Sequence, residues 1–132
     1  MMQYHFHAIV WIDHHQAKIF RFNARDIDCD VIRPRDPTVH LHHKANTVGS
    51  GHAPVDKDFL RRVTASVSEA GAIMIVGPAG AKTELAAYIG AHAPRLSARI
   101  STVEAADHPT DGELVALARK HFRASDRMKT PV

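Results

Sequence analysis

An α/β domain is what this sequence predicts, and three features point to it. Two apolar segments near the start, rich in β-branched and aromatic residues, flank a short polar DHHQ and read as a β-hairpin. Further on, segments with helical 3.6-residue spacing alternate with short branched runs. One of those runs, AIMIV at residues 72–76, is continuously apolar, as expected of a strand covered on both faces.

Taken in order, residues 5–13 (HFHAIVWID) make the first strand, residues 13–16 a tight turn and residues 17–22 (AKIFRF) the second strand. A third strand falls either at residues 28–33 or at 38–42, because Pro34 and Pro37 interrupt the region between them. Residues 43–54 (HKANTVGSGHAP) are polar and glycine-containing and read as a long exposed loop, of a length that in a compact domain often serves function. Asp56 is placed to cap a helix that carries Phe59, Leu60, Val63, Val67 and Ala70 along one face and stops at Gly71. After the strand at 72–76, GPAGAK at 77–82 turns into a second helix with Leu85, Tyr88 and Ile89 on one side, and Pro94 follows its end. Residues 98–103 are the last strand. Thr110 and Glu113 have the spacing of a capping box and open a third helix pointing Leu114, Leu117 or Ala118, and Phe122 inward. Past Ser125 the chain is basic, and residues 126–132 are expected to fray.

The order is β-β-β-α-β-α-β-α. Three antiparallel strands and two parallel ones joined by right-handed crossovers give a mixed five-stranded sheet with helices packed on it, a ribonuclease H-like architecture. The 132 residues suit a single domain with a hydrophobic core of its own, and a 45% hydrophobic share is ordinary for a globular chain. No apolar run approaches the ~18 residues of a membrane span, and the start lacks a secretory layout. Cys29 is the sole cysteine, so an intrachain disulfide is impossible. These features place the chain in the cytoplasm and make Cys29 a buried thiol.

The formal net charge of +3 is compatible with RNA binding. Its distribution says more. Residues 119–129 hold five basic side chains against one acid, Asp126; residues 33–62 hold six against three, with four of the eleven histidines. An ordinary solvated surface accounts for such charge equally well.

Other chemistries find partial patterns. A two-metal nuclease needs converging carboxylates; Asp13 ends the first strand and Asp107 and Asp111 precede the last helix, but the strand at 72–76 carries no acid. His40 and His42 share a strand face and His43 and His52 lie on the adjoining loop, so His40, His42 and His52 form the metal set if there is one. They have no cysteine partner and no HExxH helix, and surface or RNA-contacting histidines explain them better. The 77–83 segment falls short of a Walker loop because Ala81 separates glycine from lysine; Gly80 and Lys82 at a helix start could still hold an RNA phosphate. Ser50 between Gly49 and Gly51 lacks the strand-to-helix context of a nucleophile elbow.

A meander, a long loop before a helix, then an apolar strand ending in GPAGAK and a helix TELAAYI together resemble the central domain of the archaeal and eukaryotic peptide release factors and Pelota. The resemblance is closest to small bacterial members of that superfamily, the translational machinery proteins, and covers about residues 7–122. In the release factors the corresponding loop carries a Gly-Gly-Gln tripeptide that enters the peptidyl-transferase centre. Here the loop reads GSGH at residues 49–52, with no Gly-Gly-Gln. The resemblance therefore implies a ribosome- or tRNA-associated binding domain without peptidyl-tRNA hydrolysis, like Pelota. Its phosphate contacts would be Lys44, Asn46, Gly49, Gly51 and His52 on the loop, with Gly80 and Lys82 at the helix start. No cofactor, membrane or DNA partner is expected. A metal-dependent hydrolase built on the histidines and a small protein-binding regulatory module are the alternatives.

Overall fold

The computed structural model describes residues 6–35 and 55–129, with side chains described as far as Arg123. Along them run β1 (His7–Ile12), β2 (Ala17–Phe22), β3 (Ile27–Ile32), α1 (Lys57–Ser66), β4 (Ala72–Gly77), α2 (Ala81–His92), α3 (Pro94–Ser97), β5 (Ile100–Ala105) and α4 (Asp111–Lys129). The strands form one sheet in the order β3-β2-β1-β4-β5. β1 and β2, and β2 and β3, pair antiparallel; β1 with β4 and β4 with β5 pair parallel. The α/β class and the mixed five-stranded sheet are those the sequence predicts, with β1 at the centre and β4 beside it.

Both hairpins close on a side chain. The Asp13 carboxylate accepts the backbone N–H groups of His15 and Gln16 at 2.8 and 2.9 Å. The Asn23 carbonyl does the same for Arg25 and Asp26, both at 2.8 Å. A short polar side chain that satisfies its own turn is why such residues punctuate strands.

The sheet is buried on two sides. On one, Ala8, Val10 and Ile12 of β1, Ile19 of β2 and Ile73 and Ile75 of β4 pack against Phe59, Leu60 and Val63 of α1 and Leu85 and Ile89 of α2. On the other, Ile9, Trp11, Phe20, Phe22, Met74 and Val76 meet Leu114, Ala118 and Phe122 of α4. Double coverage explains why β1 and β4 read as unbroken apolar runs rather than alternating ones. Each of these large side chains contributes about 1.5–3 kcal/mol on leaving water.

Four boundaries differ from the sequence reading. α1 ends at Ser66, short of the expected stop at Gly71, so Val67 and Ala70 join the core from the turn that follows it. The third strand, β3, falls in the earlier of the two windows and starts at Ile27; the window at 38–42 lies outside the described residues. The last strand begins at Ile100 because Pro94 does more than follow α2: it occupies the first turn of α3, whose Leu96 is buried. Helical backbone in α4 runs on to Lys129, past Ser125.

Cys29 is exposed, not buried. It lies on the edge strand β3, opposite Phe20, on the sheet face that α4 covers only further in, and its same-face neighbours Ile27 and Val31 are 44% and 43% exposed. Desolvation by its immediate surroundings, then the Asp111 and Asp30 carboxylates, push its thiol pKa up, which disfavours the reactive thiolate.

Two polar clasps tie the layers together. Arg21 of β2 reaches Asp28 and Asp30 of β3 at 2.9 and 3.3 Å and donates to the Ser66 carbonyl at the end of α1 at 3.1 Å. Asp58, in the first turn of α1, receives Arg61 at 2.6 Å, Arg62 at 3.0 Å and Arg35 at 2.9 Å. Arg62 also donates to the Arg33 carbonyl, so the chain leaving β3 is held against the start of α1.

One glycine is sterically required. A Cβ on Gly77, at the end of β4, would overlap the Ile12 carbonyl oxygen of the neighbouring β1, and that oxygen is backbone and cannot yield. Gly80, the residue just before α2, has φ −81° and open space where a Cβ would go. Gly77→Ala should therefore lower stability by about 1–3 kcal/mol in urea denaturation, whereas Gly80→Ala should stay within ~0.5 kcal/mol.

The three guanidiniums around Asp58, with the hydrogen bond from Arg61 leading, hold its carboxyl well below the usual carboxylate range. A pKa depressed in the folded state means stability that is present above the unfolded pKa and drains away as pH falls through the carboxylate range toward the folded value. Asp58→Asn should melt below wild type at neutral pH, and the gap should narrow as the pH is lowered into that range. A gap independent of pH would remove the charge from the explanation.

Candidate functional site

The carboxyl ends of β1 and β4, the β1–β2 turn and the first turns of α1 and α2 gather at one pole of the sheet. In α/β folds this is the end at which ligands bind. The polar contacts locate it. The Glu84 carboxylate of α2 accepts the Val55 backbone N–H at 2.9 Å and stands 3.9 Å from His14 Nε2 of the hairpin turn. Arg33 donates to the Gln16 side chain at 3.2 Å, bringing the end of β3 to the same turn. Val55 is 5% exposed and joins the core under α1 and α2. The chain thus leaves the described structure after Arg35 and returns at Val55 at the same pole, each end fastened: Arg35 by Asp58, Val55 by Glu84 and the core.

Of the site residues the sequence suggests, Lys44, Asn46, Gly49, Gly51 and His52 lie outside the described residues, as do the metal candidates His40 and His42. Gly80 and Lys82 are described and sit at the pole. Gly80 caps α2 without a side chain of its own, and no side chain caps this helix start. Lys82 Nζ folds back to donate to the Ala79 carbonyl at 2.5 Å, so engaging an anion means releasing that carbonyl. Asp56 caps α1 by accepting the Phe59 N–H at 3.1 Å, which occupies one of that helix's free donors.

The carboxylates considered for nuclease chemistry are employed separately. Asp13 holds the hairpin turn, Asp111 pairs with Lys18 at 3.1 Å and Asp107 with His108 at 3.1 Å. Among the described residues no group of three His, Cys, Asp or Glu side chains could hold a metal ion. The pole therefore offers cations and helix N-terminal donors around a fastened chain exit, without converging acids.

Glu84, Arg35 and the Asp58 clasp went unnoticed in the sequence. The Asp58–Arg61 and Asp58–Arg62 spacings, i to i+3 and i+4, were a readable signal of helical ion pairs. Neither Arg35 to Asp58 nor Val55 to Glu84 has any local signature.

No family model and no curated protein sequence matches the chain. Solved structures do match in fold. Pelota from Archaeoglobus fulgidus superposes with a TM-score of 0.60 at 11% identity, over 87% of this chain and 31% of that one. Pelota from Thermoplasma acidophilum gives 0.54 at 15% identity, over 89% and 31% respectively. An archaeal translation termination factor gives 0.54 at 13% identity, over 94% and 40%. The chain thus spans about a third of the length of these proteins. At such identities the likeness is one of fold: the sheet and helices described above are those of a unit found within Pelota and an archaeal termination factor.

Proposed function

We propose that this chain is a ribosome- or tRNA-associated binding domain acting in translation, in the cytoplasm, without peptidyl-tRNA hydrolase chemistry. The observation that carries the reading is the fold match over nine-tenths of the chain to proteins one of which is a translation termination factor. The arrangement of the pole supports it. A polar, glycine-containing segment with Lys44, Asn46, Gly49, Gly51 and His52 is bounded by ends fastened beside the start of α2, where Gly80 and Lys82 stand. Backbone amides at glycines, a lysine and an uncapped helix start are the groups that take up phosphate oxygens. The segment has no Gly-Gly-Gln, which supports binding without peptidyl-tRNA hydrolysis, and the described carboxylates do not converge as a two-metal nuclease requires.

Co-sedimentation with purified ribosomes across a salt series tests this. Binding should weaken steeply as salt rises, because each phosphate contact releases counterions worth roughly 0.7–0.9 in log–log slope. Lys44→Ala combined with Lys82→Ala should weaken binding and flatten that slope by about one to two units. Wild-type protein that shows no salt-sensitive association with ribosomes or tRNA would overturn the reading; an unchanged slope in the double variant would move the contact surface away from this pole.

A further inference from the structure

We infer that the outward face of α4 is a second, independent phosphate-binding surface, suited to the backbone of RNA. Its floor is fixed by the core: Leu114, Ala118 and Phe122 turn inward against the sheet. At 100° per residue, Arg119, Lys120 and Arg123 fall within one sector on the opposite side of the helix, with Gly112 and Ala116 also among the described residues of that sector. All three are exposed.

Arg21, Arg35, Arg61 and Arg62 are each held by a carboxylate, and Lys18 by Asp111. Among the described side chains, none of the ion pairs involves Arg119, Lys120 or Arg123. The contact made by Arg119 is with a ring: its guanidinium lies 5.3 Å from the Phe22 centroid, which positions the side chain and leaves its N–H fork without a carboxylate. The stripe is also on the sheet face opposite α1 and α2, away from the helices that frame the pole.

The chemistry of the stripe selects the partner. Protein interfaces centre on a buried apolar or aromatic anchor, and the described residues of this sector offer only the small Gly112 and Ala116. Insertion into a membrane surface needs a free apolar helix face, and that of α4 is already spent on Phe20, Phe22, Met74 and Val76. What remains is a rigid row of cations, two of them arginines, whose planar forks match phosphate oxygens. Successive turns set Arg119 and Arg123 about 6 Å apart along the axis, a short span that suits neighbouring phosphates of one strand. Such a surface reads charge and shape, not sequence.

The experiment separates this surface from the proposed function by using a different probe. A short RNA duplex of mixed sequence is titrated over a salt series, while ribosome co-sedimentation is measured in parallel. Arg119→Ala/Lys120→Ala/Arg123→Ala should flatten the duplex slope by roughly two to three units, at about 0.9 per contact, with Lys44→Ala/Lys82→Ala leaving that slope nearly intact. Because Arg119 also touches Phe22, Lys120→Glu/Arg123→Glu serves as a second variant that spares the ring contact, and it should weaken duplex binding at least as much. Duplex binding that is absent, or equal in wild type and both α4 variants, would overturn the inference whatever the ribosomes do. Ribosome binding lost or absent while α4-dependent duplex binding persists would sink the proposed function and leave the inference standing. Equal, α4-dependent binding to poly-glutamate would overturn RNA as the partner in favour of an acidic protein.

Discussion

The parallel pairing of β1 with β4 is the constraint on which the rest of the structure depends. It joins the N-terminal meander to the helical half of the chain, across a sequence gap of some sixty residues, and it sets both at the centre of a sheet covered on two sides. The pairing is close enough at its carboxyl end that only glycine fits beside the Ile12 carbonyl at position 77. From there the turn at 78–80 must start α2, whose Leu85 and Ile89 then lie over β1 and β4 beside α1. Trp11 extends the same register outward: its indole N–H donates to the Ala106 and Asp107 carbonyls at 3.2 and 3.0 Å, fixing the path from β5 into α4. One parallel pair thus determines where two helices begin.

How much of this could be read from the residues depends on whether the signal was local. The runs at 8–12 and 73–76 announce strands because burial on both faces leaves no polar position, and the capping box at Thr110 and Glu113 forms as its spacing suggests, with Thr110 N–H to Glu113 at 2.8 Å and Glu113 N–H to Thr110 at 3.1 Å. Cys29 shows the opposite case. Its residue type favours burial, and nothing in IDCDVI tells that β3 is an edge strand left uncovered on that face. Strand order is a property of the whole chain, and exposure at an edge follows from strand order. Pro94 was legible as a break and misread as only that, although a proline at a helix start followed by a leucine is also how a short helical turn is anchored.

The pole was legible in part for the same reason. Lys82 could be placed at a helix start from GPAGAK alone, but its return to the Ala79 carbonyl could not, because that bond depends on the turn's three-dimensional path. The pairing of Arg35 with Asp58 spans 23 residues and that of Val55 with Glu84 spans 29. Charge counts treated Arg33, Arg35, Arg61 and Arg62 as one basic region available to a polyanion. The structure shows that Arg35, Arg61 and Arg62 converge on one carboxylate, which balances one of their three charges and ties the side chains down where they stand.

That cluster bears on how the pole is held together. The stability of the pole resides in contacts at its margins: Val55 in the core, Glu84 on its N–H, and Asp58 among three guanidiniums. The sheet, the Gly77 contact and the two-sided core hold the fold. Sequence identities of 11–15% alongside TM-scores of 0.54–0.60 fit a fold held in this way, since volume and polarity at core positions preserve the packing without preserving the residues.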